Sequence, residues 1–149
     1  MPLNIPLLPQ LSRADCLPAC VEMVSRFLGR DVSRDWLSQI LETTWLGTPG
    51  FKLLNLRDHG YDVVYASAMN ERPLIEALAA GIPPIALVHT SALPHWKQAT
   101  AHAVVVAEFG EQVVVNDPAF PTMPQVVPRE AFMLAWSEFD YLYAIVRPR

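Results

Sequence analysis

The hydrophobic positions change period about halfway along the chain. Over residues 16–27, Cys16, Ala19, Cys20, Met23, Val24 and Phe27 recur at three- and four-residue steps, which puts them on one face of a helix. Asp15 is placed to cap this helix and Gly29 to end it, and Pro18 falls in the first turn, where a missing N–H is harmless. Ser33 is placed to cap a second helix carrying Trp36, Leu37, Ile40 and Leu41. A loop at 47–50 precedes a third helix over 51–59, closed by Gly60. A strand over 61–66 and a short helix over 71–80, closed by Gly81, complete the first half.

From residue 84 the pattern becomes extended. The unbroken apolar run 84–89 predicts a buried strand, and further strands are expected over 102–108, 111–116 and 141–147. A helix over 128–136 is inserted before the last strand, with Pro128 as its first residue and Glu130 in its first turn. Helices first and strands later is an α+β order, with N-terminal helices packed on a C-terminal antiparallel sheet. At 149 residues the chain suits a single domain, 1–149, able to bury a core without covalent staples.

Charge and cysteine usage narrow the function classes. Net charge is −4 and no Lys/Arg cluster exists, which argues against nucleic acid or an anionic membrane as partner. The longest apolar runs are too short to cross a bilayer. The apolar, Pro-rich stretch 1–10 lacks the basic start and small-residue cleavage site of a signal peptide. Two cysteines, Cys16 and Cys20, do not make a disulfide framework, so a cytoplasmic protein with reduced thiols is expected.

The chemistry begins at Cys16. The first turn of a helix presents unpaired N–H groups whose partial positive charge favours a negative sulfur, which is what a nucleophilic cysteine needs. Burial as a small core residue is the competing reading; for Cys20, one turn further in, that core reading wins. A turn at Phe109-Gly110, with glycine at positive φ, would pair the two following strands so that Glu108 faces Glu111 and His102 faces Asp117. Directly opposed side chains lie about 5 Å apart on one face, so this register sets an imidazole beside a carboxylate and turns Asn116 to the other face. A surface His–Asp pair is the plainer alternative. Gln10, in an extended stretch before Cys16, carries an amide able to donate to an oxyanion together with the Cys16 backbone N–H.

The joint order is more specific than its parts. Glutamine, cysteine at a helix start, histidine opening a late strand and aspartate after a hairpin follow the chain order of papain-like cysteine peptidases. The segment Gln10-Leu-Ser-Arg-Ala-Asp-Cys16-Leu-Pro-Ala-Cys20 resembles the cysteine element of the bacteriocin-processing peptidases that cut double-glycine leaders. The segments His102-Ala-Val-Val-Val and Val-Asn-Asp117-Pro-Ala resemble the same family's histidine and Asp-Pro elements, and the stretch from Glu130 to Trp136 is similar to its closing helix. The resemblance spans nearly the whole chain. It implies a papain-like fold, Cys16 as nucleophile, His102 as base, Asp117 as its orienter and Gln10 as oxyanion donor, with no metal or cofactor.

This chain departs from the family pattern by having Leu17-Pro18 where glycine commonly follows the cysteine, which makes Leu17 a candidate substrate contact. Many family members are fused to a membrane transporter. This chain carries neither membrane spans nor an ATP-binding motif, so it resembles the stand-alone branch, and no partner transporter is identified by the sequence. Trp45 and Trp96 stand either at the walls of the cleft or in loop packing, and His95 beside Trp96 shares that choice. His59 and His89 read as helix-end or surface residues. Three functions fit the pattern: a peptidase acting on a leader peptide or protein, a thiol acyltransferase or amidase with the same triad, and a non-catalytic module that binds extended peptides.

Overall fold

The computed structural model describes residues 1–149. Four α-helices, α1 (Cys16–Phe27), α2 (Arg34–Ile40), α3 (Arg72–Ala79) and α4 (Arg129–Ser137), surround one antiparallel sheet. Its strands are β1 (Tyr61–Ser67), β2 (Ile85–His89), β3 (Ala101–Phe109), β4 (Gln112–Asn116), β5 (Gln125–Pro128) and β6 (Leu142–Pro148), in the spatial order β1-β6-β2-β3-β4-β5. The chain thus folds as the α+β protein its patterning predicts. No helix is long and apolar enough to cross a membrane.

Both faces of the sheet are covered, and β3 displays the consequence. Ala103, Val105 and Ala107 join a core with Leu17, Cys20, Val21 and Val24 of α1. Val104 and Val106 point the opposite way, into a second core built on Phe132 and Trp136 of α4 and Leu74 of α3. Alternating residues serve two apolar layers, so the strand reads as a continuous apolar run instead of an alternating one.

Several elements differ from expectation. Residues 50–59 wind as a 3-10 segment (Gly50–His59), not an α-helix, although Gly60 closes it in the left-handed region at φ 87° as expected. The edge strand β5 has no counterpart in the expected elements; its Gln-Val-Val-Pro sequence is short, and its proline is tolerable only at an edge. The β3–β4 turn is also different. Phe109 pairs with Val113, only Gly110 and Glu111 lie between the two strands, and Gly110 has no positive φ. A bulge between Val106 and Glu108 then changes the register, so Glu108 faces Val114 and not Glu111.

The His102 end of this ribbon keeps its expected face for a geometric reason. The expected register paired Asn116 with Ala103, whereas it pairs with Val105. A displacement of two residues preserves the side-chain face, because the period of a strand is two. Asn116 therefore points toward α1, where its amide donates to the Ile5 carbonyl at 3.1 Å. Asp117 turns to the opposite face, the one that His102 shares with Val104 and Val106.

Candidate active site

Cys16 is the first residue of α1 and is partly exposed. The turn leading into it is fixed from both sides. Asp15 occupies the N-cap position, but its carboxylate makes no cap bond to the helix. It reaches back instead, accepting the Leu11 N–H at 2.9 Å and the Ser12 N–H at 3.0 Å, and meets Arg34 of α2 at 3.0 Å. Arg34 also pairs with Glu22 at 2.8 Å, so a largely buried ion cluster ties the loop before Cys16 to both α1 and α2. The capping expectation is thereby corrected. The acid stabilises the approach to the helix and leaves the first-turn N–H groups around the thiol without a side-chain partner. Cys20 lies wholly inside the core, and burial pushes its thiol pKa well above the ordinary value.

His102 enters from β3 at the same end of the sheet and is 5% exposed. Its Nε2–H donates to Asp117 Oδ1 at 2.7 Å. Burial alone would drive the ring toward its neutral form. The hydrogen bond to the Asp117 carboxylate and the interaction with the Cys16 sulfur outweigh that cost and raise the His102 pKa to about 9. Cys16 and His102 line one cavity of about 720 Å³, together with Leu17, Leu46, Gly50 and Leu87. Gly50 is required in that wall, because a Cβ there would lie 2.7 Å from the Leu87 side chain and 2.8 Å from the Tyr65 ring.

Asp117 is fully buried just past the end of β4. Besides His102, it accepts the Ala119 N–H at 3.0 Å on Oδ1, and His95 Nε2 and Trp96 Nε1, each at 2.8 Å, on Oδ2. These donors outweigh the penalty of burial and hold its carboxyl well below the usual carboxylate range. Trp96 also rests edge-on against the His102 ring, with centroids 4.7 Å apart.

The structure thus brings Cys16, Leu17, His102 and Asp117 together but distributes the other expected residues differently. Trp96 does not line the cavity; it stands behind the imidazole, bonded to the carboxylate. Trp45 is exposed on the 44–47 turn, between the cavity-lining residues Thr44 and Leu46 but not lining the cavity itself. Gln10 lies in a separate shallow depression with Pro118 and Ala119. One N–H of its amide donates to the Ser12 carbonyl at 3.0 Å, and its Oε1 is buried without a partner. Arg34 has no site role in the sequence reading, and His95 stands there only as a cleft-wall or loop-packing residue, not as a partner of Asp117. The one available signal was the pairing of two ring N–H donors, His95 and Trp96, in a loop shortly before His102. Cys16, Cys20 and His102 do not gather as a metal-ligating set.

A helix-borne cysteine facing a strand-borne histidine, with a buried carboxylate behind it, is the layout of a papain-like cysteine peptidase. The family follows from the sequence as a whole: residues 2–144 match the Peptidase_C39 like family, and the chain belongs to it. Solved structures agree on the fold. The peptidase domain of Streptococcus ComA, a bi-functional ABC transporter of a quorum-sensing pathway, superposes with a TM-score of 0.74 at 21% identity, over 99% of each chain. A C39-like peptidase from Bacillus anthracis superposes at 0.79 with 18% identity, over 98% of this chain and 96% of that one. A double glycine motif protease from an AMS/PCAT transporter, solved with its leader peptide, gives 0.73 at 18% identity, over 99% and 94%. No curated protein matches the chain at a significant level.

Proposed function

We propose that this peptidase cleaves a leader peptide or protein after a pair of small residues, by acyl transfer through Cys16, His102 and Asp117. The observation that carries the reading is the placement of a partly exposed thiol and a buried, Asp117-bound imidazole on one cavity wall. With Nε2 committed to Asp117, Nδ1 is the ring nitrogen left to serve the sulfur. His102 takes the Cys16 proton, and the resulting thiolate attacks the scissile carbonyl carbon. The carbonyl oxygen becomes an oxyanion, for which the Cys16 backbone N–H is the donor on the cavity wall; Gln10, the other donor assigned from sequence, sits in the neighbouring depression and serves only if its free amide N–H turns toward the thiol. As the tetrahedral species collapses, His102 gives its proton to the leaving amine. Water, deprotonated by His102, then releases the acyl group and restores the thiol.

Specificity for small residues follows from the wall beside the thiol. Leu17 lines the cavity next to Cys16, and Gly50 packs against Leu87 and Tyr65, so bulk from this wall stands beside the thiol where the residues before the scissile bond would lie. The double glycine motif protease, solved with a leader peptide, supports the same substrate class. Upstream apolar residues of the substrate fit the rim, where Leu46 and Trp45 are exposed. The reaction is assigned to the cytoplasm, with a peptide or protein as its partner and no cofactor.

The test is a peptide library varied only at the two residues before the scissile bond. Glycine, alanine and serine there are expected to give the highest kcat/KM, on the order of 10²-fold above aromatic residues, as expected when bulk meets the wall beside the nucleophile. A maximum at large aromatic or basic residues would overturn the small-residue reading.

A further inference from the structure

We infer that His95 is a positioning residue for this reaction: its Nε2–H, bonded to Asp117 Oδ2, holds the carboxylate plane so that Oδ1 stays on His102. The inference rests on the triad proposed above. It begins with the torsion of an aspartate carboxylate, which is broad and roughly two-fold, so a single hydrogen bond to one oxygen does not fix its plane. Here Oδ1 takes His102 and the Ala119 N–H, while Oδ2 takes His95 and Trp96. A carboxylate offers about four acceptor sites, and all are filled.

The two donors on Oδ2 are not equivalent. Trp96 also packs on the His102 ring, so it touches the base directly. His95 rests edge-on against Phe120, at 4.9 Å between centroids, and its polar contact is the carboxylate. Its influence on His102 therefore passes through Asp117. The loop that carries it is anchored for this purpose. The hydroxyl of the buried Thr90 donates to the Gln98 carbonyl at 2.6 Å and accepts the Thr100 N–H at 2.9 Å, and Leu93 is buried beneath the turn. Such anchoring sets the ring nitrogen within hydrogen-bond reach of an aspartate on a different element, where a free loop would spend entropy to do so.

Two substitutions separate the hydrogen bond from the packing. His95→Phe keeps a ring against Phe120 and deletes the N–H; His95→Gln supplies an amide N–H at similar reach and deletes the ring. On a peptide with Gly-Gly before the scissile bond, His95→Phe is expected to lower kcat about tenfold with KM within about twofold, and His95→Gln to stay within about twofold of the unmodified chain, the low end of what loss of such outer partners costs at metal centres. An unchanged His95→Phe, or a His95→Gln as impaired as His95→Phe, would overturn the inference. Should either variant fail to fold, nitrogen NMR on the unmodified protein decides the bond: the proton at neutral pH is expected on Nε2 of His95, and a ring protonated on Nδ1 alone would overturn it. An unmodified chain that cleaves no peptide defeats the proposed function itself, a failure seen before any variant is made.

Discussion

Cys16→Ala and His102→Ala are each expected to lower peptide cleavage on the order of 10⁵- to 10⁶-fold, because bond-making and proton transfer act as a unit and losing either loses both. The two variants should nevertheless fold. Cys16 is partly exposed at a helix start, and alanine suits that position. Removing the His102 ring leaves Asp117 with the donors of His95, Trp96 and the Ala119 backbone, so the carboxylate keeps partners inside the core. The comparison to make is kcat/KM against thermal midpoint for both. Full activity in Cys16→Ala would place the nucleophile elsewhere, and Cys20 is no substitute, because it is buried and its thiol is held protonated.

The second large effect belongs to Asp117. Asp117→Ala is expected to reduce kcat on the order of 10³- to 10⁴-fold while leaving a measurable remainder, since the residue orients and charges the base without touching the substrate. Stability should fall by roughly 3 kcal/mol, because buried His102, His95 and Trp96 donors lose their acceptor.

The pH dependence should move with it. The reactive pair needs a proton on His102, whose pKa stands at about 9 because Asp117 and Cys16 overcome the effect of burial. Cleavage by the unmodified chain therefore falls as pH rises through about 9, a macroscopic value belonging to the coupled pair. Without Asp117, burial becomes the leading influence and the alkaline limb shifts downward, toward the ordinary histidine range. The same linkage fixes the sign for folding. The raised His102 pKa contributes stability that is fully present below the unfolded value of 6.5 and is lost as pH rises through about 9. The depressed Asp117 contributes stability present above its unfolded value of 3.8 and lost as pH falls below it. A pH–rate profile of Asp117→Ala with an unmoved alkaline limb would contradict this assignment.

The chain's periodicity made the larger elements legible. The face of α1, the buried strand β2 and the apolar β3 are all strong patterns, because packing against two cores writes itself into consecutive residues. What was not legible depended on contacts between distant segments. Asp15 reads as a cap, yet Arg34 and the Leu11 and Ser12 amides compete for it and win, and no local pattern encodes that competition. The 3-10 segment at Gly50–His59 has helical composition, but its close approach to Tyr65 and Leu87 is a tertiary matter. The β3–β4 register differs from the expected one because a bulge leaves no mark in the sequence of valines around it. Its even displacement kept His102 and Asp117 on one face.

The site followed the same division. Cys16, His102 and Asp117 stood out through their order along the chain, whereas the surroundings of the carboxylate were hidden. Trp96 reads as an aromatic wall but lies edge-on to the His102 ring with its Nε1–H on Asp117. His95 is joined to Asp117 only by a fold that brings the 90–100 loop over the end of β4.

The central claim is that Cys16 forms a covalent bond with the acyl part of the substrate. The most direct measurement is intact-mass analysis of the full chain quenched in acid during cleavage of a Gly-Gly-containing peptide, followed by fragmentation of the tryptic peptide 14–26, which holds both cysteines. The account predicts an added mass equal to the upstream part of the peptide, located on Cys16 and absent in Cys16→Ala. An adduct on Cys20, or cleavage undiminished in Cys16→Ala, would contradict it.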